Sequence, residues 1–457
     1  MGANGIPLFE LDALKRDWID GVPGSVFWRQ VRTCIARVEA IIDLANEQGV
    51  LITHSDPIEF AAAFLASVHS GVPTILASPN WQQSEWEQLQ QQVNPAIVFG
   101  TSGISDAKAS TPYKLQPGTI LIPTGGSSGK LKLAVHTWGT LSAACEGFQS
   151  LVGTSDYSCC VLPLYHVSGL MQLIRSFVAE GRIAFTNYRL LQSGQIPAIA
   201  PRNLCLSLVP TQLSRLIEKA STVNWLRSLK AIFLGGAPIT KPLQTQARAL
   251  CLPVVPTYGM TETAAMITAL PVDDFLSGKS GVGYALKHAG VQIIREDGSL
   301  CLPGETGRIR IQTRSLCLGY HGTPSDDFGS IYLSQDEGYL DREGCLHVVG
   351  RSDRIIISGG EKIDPLEIET AFLDTGMVDQ VFAIGWPEEE WGEQLVVFCV
   401  SSSPIEEIGM LRRKLKDKLV NYKIPQKIIL VDHLPLTIQG KPNHVLIRDL
   451  LRNKRPV

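Results

Sequence analysis

The chain has 457 residues, 44% of them hydrophobic and 19% charged, with a formal net charge of −3. That length fits about three domain-sized units with several buried cores. The near-neutral charge balance gives no reason to expect nucleic acid or an anionic membrane surface as a partner.

The first residues carry Glu10, Asp12, Lys15 and Arg16 without an apolar stretch, unlike a signal peptide, and Ile6 stands where acylation of Gly2 requires Ser or Thr. Residues 57–70 read as an Ala-rich helix, followed by a strand at Thr74–Ala77. The Gln-rich stretch Trp81–Val93 fits an exposed helix with Trp81 and Trp86 turned inward, and Ala96–Gly100 a short strand. An apolar β run, Gly118–Pro123, feeds a loop of small residues, Thr124–Gly129; the alternation of Leu131, Leu133 and Val135 then predicts a returning strand. A helix near Thr140–Ser150, a strand at Ser158–Pro163 and an apolar helix from about Ser168 to Glu180 follow. Strands at Arg182–Thr186, Leu204–Val209 and Ala231–Leu234 alternate with helical stretches, which indicates a mostly parallel sheet covered by helices.

The pattern changes near 280. Val291–Arg295, Arg308–Thr313, Gly338–Asp341 and Cys345–Val349 are short runs broken by Gly, Asp and Pro, as in the hairpins of a small β unit. Asp364-Pro365-Leu366-Glu367 opens a helix with a cap, a first-turn proline and a glutamate three after the cap, and Ser403-Pro404-Ile405-Glu406 repeats the arrangement. With strands at Val381–Ile384 and Leu395–Val400 between them, 354–457 reads as a separate α+β domain. No apolar run reaches the ~18 residues of a membrane span. Ten scattered cysteines without a Cys-x-x-Cys pair support neither a zinc site nor a disulfide framework, so reduced thiols in a cytoplasmic protein are expected.

The loop Thr124–Gly129, with Lys130 and Lys132 behind it, carries the strongest chemical signal. Glycines let a backbone bend and approach a ligand, and exposed N–H groups, hydroxyls and ammonium groups suit a polyphosphate. It is not a Walker A loop: Gly129-Lys130 would need a glycine at Thr124, and Leu131 replaces the magnesium-binding hydroxyl. Gly125-x-Ser127-x-Gly129 has the spacing of a hydrolase nucleophile elbow, but an elbow runs into a helix, and a strand is predicted here. A hairpin loop without a ligand is the plain alternative. Five further clusters follow: Gly235-Gly236-Ala237-Pro238, Tyr258-Gly259-Met260-Thr261-Glu262-Thr263, Asp336 before Glu337-Gly338-Tyr339, Gly350-Arg351-Ser352-Asp353-Arg354, and Gly440-Lys441. Taken singly, each reads as a turn or a solvated loop.

Together and in this order, the six resemble the acyl-adenylate-forming superfamily of acyl-CoA synthetases, luciferases and peptide-synthetase adenylation domains, over about residues 50–457. The resemblance implies a large N-terminal α/β domain, 1–352, of mostly parallel sheets layered with helices and including a small β unit at about 280–352. A small mobile α+β domain, 353–457, is hinged at Asp353. It implies ATP, Mg²⁺ and CoA as participants. Thr124, Gly126, Ser127, Ser128, Gly129 and Lys132 would hold the phosphates. Gly235, Gly236, Ala237 and Tyr258 would flank the adenine, with Gly259 and Met260 in the same ATP site. Asp336 would accept from the ribose hydroxyls while Arg351 donates. Thr261 would donate to the α-phosphate, Glu262 would hold Mg²⁺, and Lys441 would approach the α-phosphate. For thioester formation the terminal domain would rotate, removing Lys441 and bringing in Gly359 and Gly360, where pantetheine could pass the backbone. The basic run Arg412, Arg413, Lys414, Lys416 and Lys418 is either a solvated helix face or a contact for CoA phosphates. The chain departs from the family pattern at Gly125, at Leu131 in place of proline, and in Ser334-Gln335-Asp336 in place of Thr-Gly-Asp.

The acid is addressed by Pro163–Arg175. At 100° per residue, Ser168, Met171, Gln172 and Arg175 share one helix face. Arg175 is either solvated or aimed into an acyl pocket. In a pocket it would suit an acid with a second carboxylate or a keto oxygen, through charge-assisted bonds. This segment, with Ala134-Val135-His136-Thr137 and Ile357–Glu361, looks like the o-succinylbenzoate–CoA ligase family of menaquinone and phylloquinone biosynthesis. There an arginine nine residues after the Leu-[Phe/Tyr]-His histidine serves the substrate, and Arg175 stands nine after His166. The partners so implied are an aromatic dicarboxylic acid, ATP and CoA; His166 and Ser168 would line the acyl pocket, and a homo-oligomer is left open. The rivals are a benzoate-type acyl-CoA ligase, a serine hydrolase using Ser127, and a protein that senses ATP without chemistry.

Overall fold

The computed structural model describes residues 11–104, 114–125, 131–153, 157–197, 199, 203–323, 328–351, 354, 356–358, 361–388, 392–401, 408–436 and 443–453. The helix α1 (Gly24–Glu39) buries Phe27, Val31, Ile35 and Val38, a helical spacing, against α3 (Pro57–His69), with α2 (Ile42–Gln48) between them in sequence. Asp56 caps α3 by accepting from the N–H groups of Ile58 and Glu59. The first sheet is built from β1 (Val50–Thr53), β2 (Thr74–Leu76), β3 (Ile97–Gly100), β4 (Thr119–Gly125) and β5 (Leu131–Thr137), in the order β3-β1-β2-β4-β5. All its pairs are parallel except β4–β5, which run antiparallel from Thr119↔Thr137 to Gly125↔Leu131. β4 is therefore followed by its antiparallel partner β5, not by the helix into which a hydrolase elbow runs.

The second sheet comprises β6 (Tyr157–Cys160), β7 (Arg182–Phe185), β8 (Leu204–Leu208), β9 (Ala231–Leu234), β10 (Val254–Met260), β11 (Ala265–Ala269) and β12 (Tyr284–Ala285). Its order is β12-β11-β10-β9-β8-β6-β7, parallel from β7 to β10 and antiparallel beyond. One core joins α1, α3, α5 (Trp138–Val152) and α6 (Val167–Val178) to residues of both sheets, so these helices lie between them. The helix α4 (Gln83–Gln90) covers the far face of the first sheet, burying Trp86. β6 ends at Cys160, three residues short of the predicted strand end; Leu162 and Pro163 instead lead into α6.

The small β unit is an antiparallel meander: β13 (Ala289–Ile294), β14 (Gly307–Thr313), β15 (Ile331–Leu340) and β16 (Leu346–Arg351). β15 starts seven residues before the predicted Gly338. The terminal α+β unit forms one sheet of β17 (Ile356–Ser358), β18 (Glu361–Ile363), β19 (Gln380–Glu388), β20 (Gly392–Val400) and β21 (Lys427–Leu430), with its own core around Phe372, Val397 and Leu411. Asp364 caps the helix Pro365–Leu373 as expected, but Glu367 closes no capping box and pairs with Lys423 instead. The second predicted cap, Ser403–Glu406, lies outside the described residues. No disulfide joins any of the ten cysteines. No helix among the described residues is long and apolar enough to cross a membrane.

Candidate active site

β10 delivers Tyr258 and Met260 into a short turn, Thr261–Thr263, from which β11 returns. Ala264 and Ala265 both have positive φ, +53° and +75°, a region that residues with a Cβ rarely occupy. The turn is held from outside. The Thr261 carbonyl lies 2.8 Å from His136 Nε2, the Glu262 carbonyl accepts from Cys317 N at 2.8 Å, and the Thr263 carbonyl accepts from Ser315 Oγ at 2.9 Å. Three consecutive carbonyls are thus bound by β5 and by the segment that follows β14. His136 is fully buried, and burial pushes its pKa down to about 4, so the ring is neutral.

The Glu262 carboxylate is 8% exposed and accepts from Tyr320 Oη at 2.5 Å. Among the described residues no Lys or Arg pairs with it. A buried carboxylate held by one neutral hydroxyl and lacking a cationic side chain fits a divalent cation, which would bind through oxygen.

A second corner forms where β15 and β16 pair in register, Asp336 opposite Arg351. Asp336 Oδ2 accepts from Tyr258 Oη at 2.5 Å, and Oδ1 from Arg351 Nη1 at 3.3 Å. Burial and the neighbouring carboxylate hold the Tyr258 hydroxyl well above its usual pKa, so it remains a donor. Ser334, standing where Thr was expected, accepts from the Asp336 N–H at 3.1 Å through its hydroxyl and so shapes this part of β15. Gly235 follows β9, and a Cβ there would stand 2.5 Å from Thr257 Oγ1; Gly236 has φ +78°. Gly236 and Ala237 are exposed. Gly259 has a packing reason of its own, since a Cβ would meet the Ala265 carbonyl oxygen at 1.9 Å.

Thr124, one residue before the end of β4, is half-buried, and exposed Lys132 places Nζ 4.6 Å above the Tyr320 ring. Gly126, Ser127, Ser128, Gly129, Asp353, Gly359, Gly360 and Lys441 lie outside the described residues.

On the acyl side, His166 precedes α6 at its N-cap position with its ring edge-on to Tyr165. Ser168 is exposed, whereas Met171, Gln172 and Arg175 are buried. The solvated reading of Arg175 fails: the residue is 4% exposed, its guanidinium lies 3.8 Å from the centre of the Phe148 ring, and Nη2 donates to Ser207 Oγ at 3.3 Å. α5 supplies Phe148 and β8 supplies Ser207, so the arginine is wedged between the middle helix layer and the second sheet.

At the boundary of the terminal unit two arginines reach opposite ways. Arg351 binds back to Asp336, while Arg354 binds forward to Glu369 Oε1 at 3.0 Å and the Ala383 carbonyl at 3.3 Å. His136 stands in the Ala134-Val135-His136-Thr137 string already read as part of the resemblance, whereas Ser315, Cys317 and Tyr320 lie outside every string quoted from the sequence; for Tyr320 the Gly319-Tyr320-His321-Gly322 set, aromatics among glycines, was the signal to be had.

The chain belongs to the AMP-binding enzyme family: that family's sequence profile matches residues 27–321, and the profile of the AMP-binding enzyme C-terminal domain matches 367–441. It is an adenylate-forming acid–CoA ligase. Its relatives include the 2-succinylbenzoate–CoA ligase of Bacillus subtilis, 29% identical over 84% of this chain and 79% of the relative. The enzyme of that name from Listeria monocytogenes EGD-e is 33% identical over 78% of each. The fold matches that of o-succinylbenzoate CoA synthetase (MenE) from Bacillus subtilis, solved with its acyl-adenylate OSB-AMP. The TM-score is 0.79 at 24% identity, covering 96% of this chain and 95% of that one. The same enzyme with ATP and magnesium matches with TM-score 0.77 at 23% identity, covering 95% and 96%.

Proposed function

We propose that this ligase activates o-succinylbenzoate and yields o-succinylbenzoyl-CoA for menaquinone or phylloquinone biosynthesis. The burial of Arg175 carries the reading. A guanidinium withdrawn from water is hostile to an alkyl tail and suits a second carboxylate or a keto oxygen, with bonds worth about 1.5–3 kcal/mol each. The named relatives support the same acid.

A carboxylate is a poor acyl donor because its leaving group would be oxide. Attack of its oxygen on the α-phosphorus of ATP forms the acyl-phosphate bond and breaks the bond to the β-phosphate bridge, releasing pyrophosphate. Anion meets polyanion, so donors and cations must offset the repulsion. In this reading Thr124, the glycine–serine loop and Lys132 cradle the phosphates, and Thr261 donates to the α-phosphate. Gly235, Gly236, Ala237 and Tyr258 flank the adenine with Gly259 and Met260 nearby, while Asp336 and Arg351 hold the ribose. Glu262 would hold Mg²⁺, which when bound neutralises phosphate charge. Lys441 completes the adenylating site. The CoA thiol then attacks the acyl carbon and AMP leaves, after the domain 353–457 turns about Asp353 against 1–352 and brings in Gly359 and Gly360.

Pyrophosphate exchange into ATP, measured across a panel of acids, tests the substrate. Exchange is expected with o-succinylbenzoate, together with its mixed anhydride with AMP by mass spectrometry. Exchange with benzoate but none with o-succinylbenzoate removes the assignment. Lys441→Ala is expected to abolish adenylation while sparing thioester formation from supplied acyl-adenylate; equal loss of both half-reactions removes the two-position scheme.

A further inference from the structure

The segment Cys317–His321 stitches the phosphate-loop hairpin to the Thr261–Thr263 turn. Leu318 N and His321 N donate to the Val135 and Leu133 carbonyls at 2.8 and 2.9 Å, Val135 N donates to the Gly319 carbonyl at 2.9 Å, and Cys317 N donates to the Glu262 carbonyl at 2.8 Å. Within this brace Tyr320 has its backbone bridged to Ala134 of β5 and its ring set edge-on to Phe328 at 5.5 Å. Its hydroxyl, 2.5 Å from Glu262 Oε1, makes a short charge-assisted bond. No described hydrogen bond occupies Glu262 Oε2.

We propose that Tyr320 is a positioning residue for a divalent cation: its hydroxyl fixes Glu262 by one oxygen so that the other is kept for the metal. The proposal rests on the reading of Glu262 as the metal-holding residue. The phenol ties the carboxylate to a brace bridged to β5, and Lys132 of β5 lies over the same Tyr320 ring, so in this reading the metal and phosphate positions share one support. Hydroxyls that orient a metal-binding carboxylate contribute about 10- to 100-fold in metal affinity.

The experiment measures Mn²⁺ binding in the presence of ATP by the paramagnetic resonance signal of free Mn²⁺, with metal-free ATP binding measured by calorimetry. Tyr320→Phe is expected to weaken Mn²⁺ uptake about tenfold and to leave metal-free ATP binding within about twofold. Tyr320→His, which keeps a ring donor, should recover most of that loss. Wild-type Mn²⁺ affinity in Tyr320→Phe overturns the proposal, and so does a Tyr320→His loss equal to a full knock-out of the donor. Glu262→Gln separates the two layers: if it retains wild-type Mn²⁺ uptake, the assignment of Glu262 itself fails, whereas loss in Glu262→Gln alone rejects only the role of Tyr320.

Discussion

His136 Nε2 lies 2.8 Å from the Thr261 carbonyl, joining residues 125 apart in sequence across the two sheets. Its other ring nitrogen lies 2.9 Å from Thr140 Oγ1 at the start of α5, so one imidazole ties the return strand of the hairpin, a helix start and the turn bearing Glu262.

Replacing this ring should loosen the turn. His136→Phe keeps the bulk but removes the bond to the Thr261 carbonyl, at a cost of about 1–3 kcal/mol. The displaced turn should lower adenylation about 10²-fold. Denaturant unfolding reads the first effect and pyrophosphate exchange the second; a stable variant with normal exchange refutes this role.

Acid should destabilise the protein through two histidines. Burial depresses both His136 and His288 to about 4, below the ~6.5 of an unfolded chain. Above about pH 6.5 both states are neutral at these sites and their stabilising contribution is whole. As pH falls from about 6.5 toward 4, the unfolded chain takes up protons that the folded chain refuses, and stability drops by at most about 3 kcal/mol per site. Urea unfolding between pH 7.5 and 4.5 measures the slope, which should be smaller in His288→Phe.

Arg175→Lys tests the acyl side. An ammonium neither stacks on Phe148 as a guanidinium does nor offers a planar fork to a carboxylate. The KM for o-succinylbenzoate should rise about 10- to 100-fold, equivalent to one lost charge-assisted bond, with the KM for ATP unchanged. Steady-state kinetics varying each substrate in turn decide it; equal rises in both KM values would mean a general collapse of the site.

Gly259→Ala should be costly because its new methyl meets backbone, which no rotamer change can relieve. The expected loss is about 1–3 kcal/mol in thermal unfolding, with adenylation reduced because β10 and β11 flank Glu262. A melting temperature equal to wild type would show that the strands part without penalty.

Some of this architecture could be read along the chain. The alternation of Leu131, Leu133 and Val135 announced the β5 return strand, and the Asp364-Pro365 pair announced a helix. The first half of β15 escaped notice because it shows exposed Ile331 and Leu333 instead of a polar face. α1 escaped because Pro23 provides no side-chain cap, although its buried residues recur at helical spacing. In the candidate site, Asp336 and Arg351 sat in recognisable strings. The bonds that make the Thr261–Thr263 turn rigid did not, because Ser315, Cys317 and Tyr320 are ordinary residues whose partners lie more than fifty positions away. Nor did spacing decide whether Arg175 was wet or dry; that depended on Phe148 and Ser207, contributed by two other elements.

The opposed grips of Arg351 and Arg354 divide labour across a four-residue stretch. Cutting the first, at Asp336, would slacken the corner between β15 and β16 yet leave the bonds of Arg354 in place. Cutting the second, at Glu369, would loosen Arg354 within the terminal unit while the Asp336–Arg351 pair stays in place. The two grips share no partner, so either can be released by a substitution that leaves the residues of the other untouched.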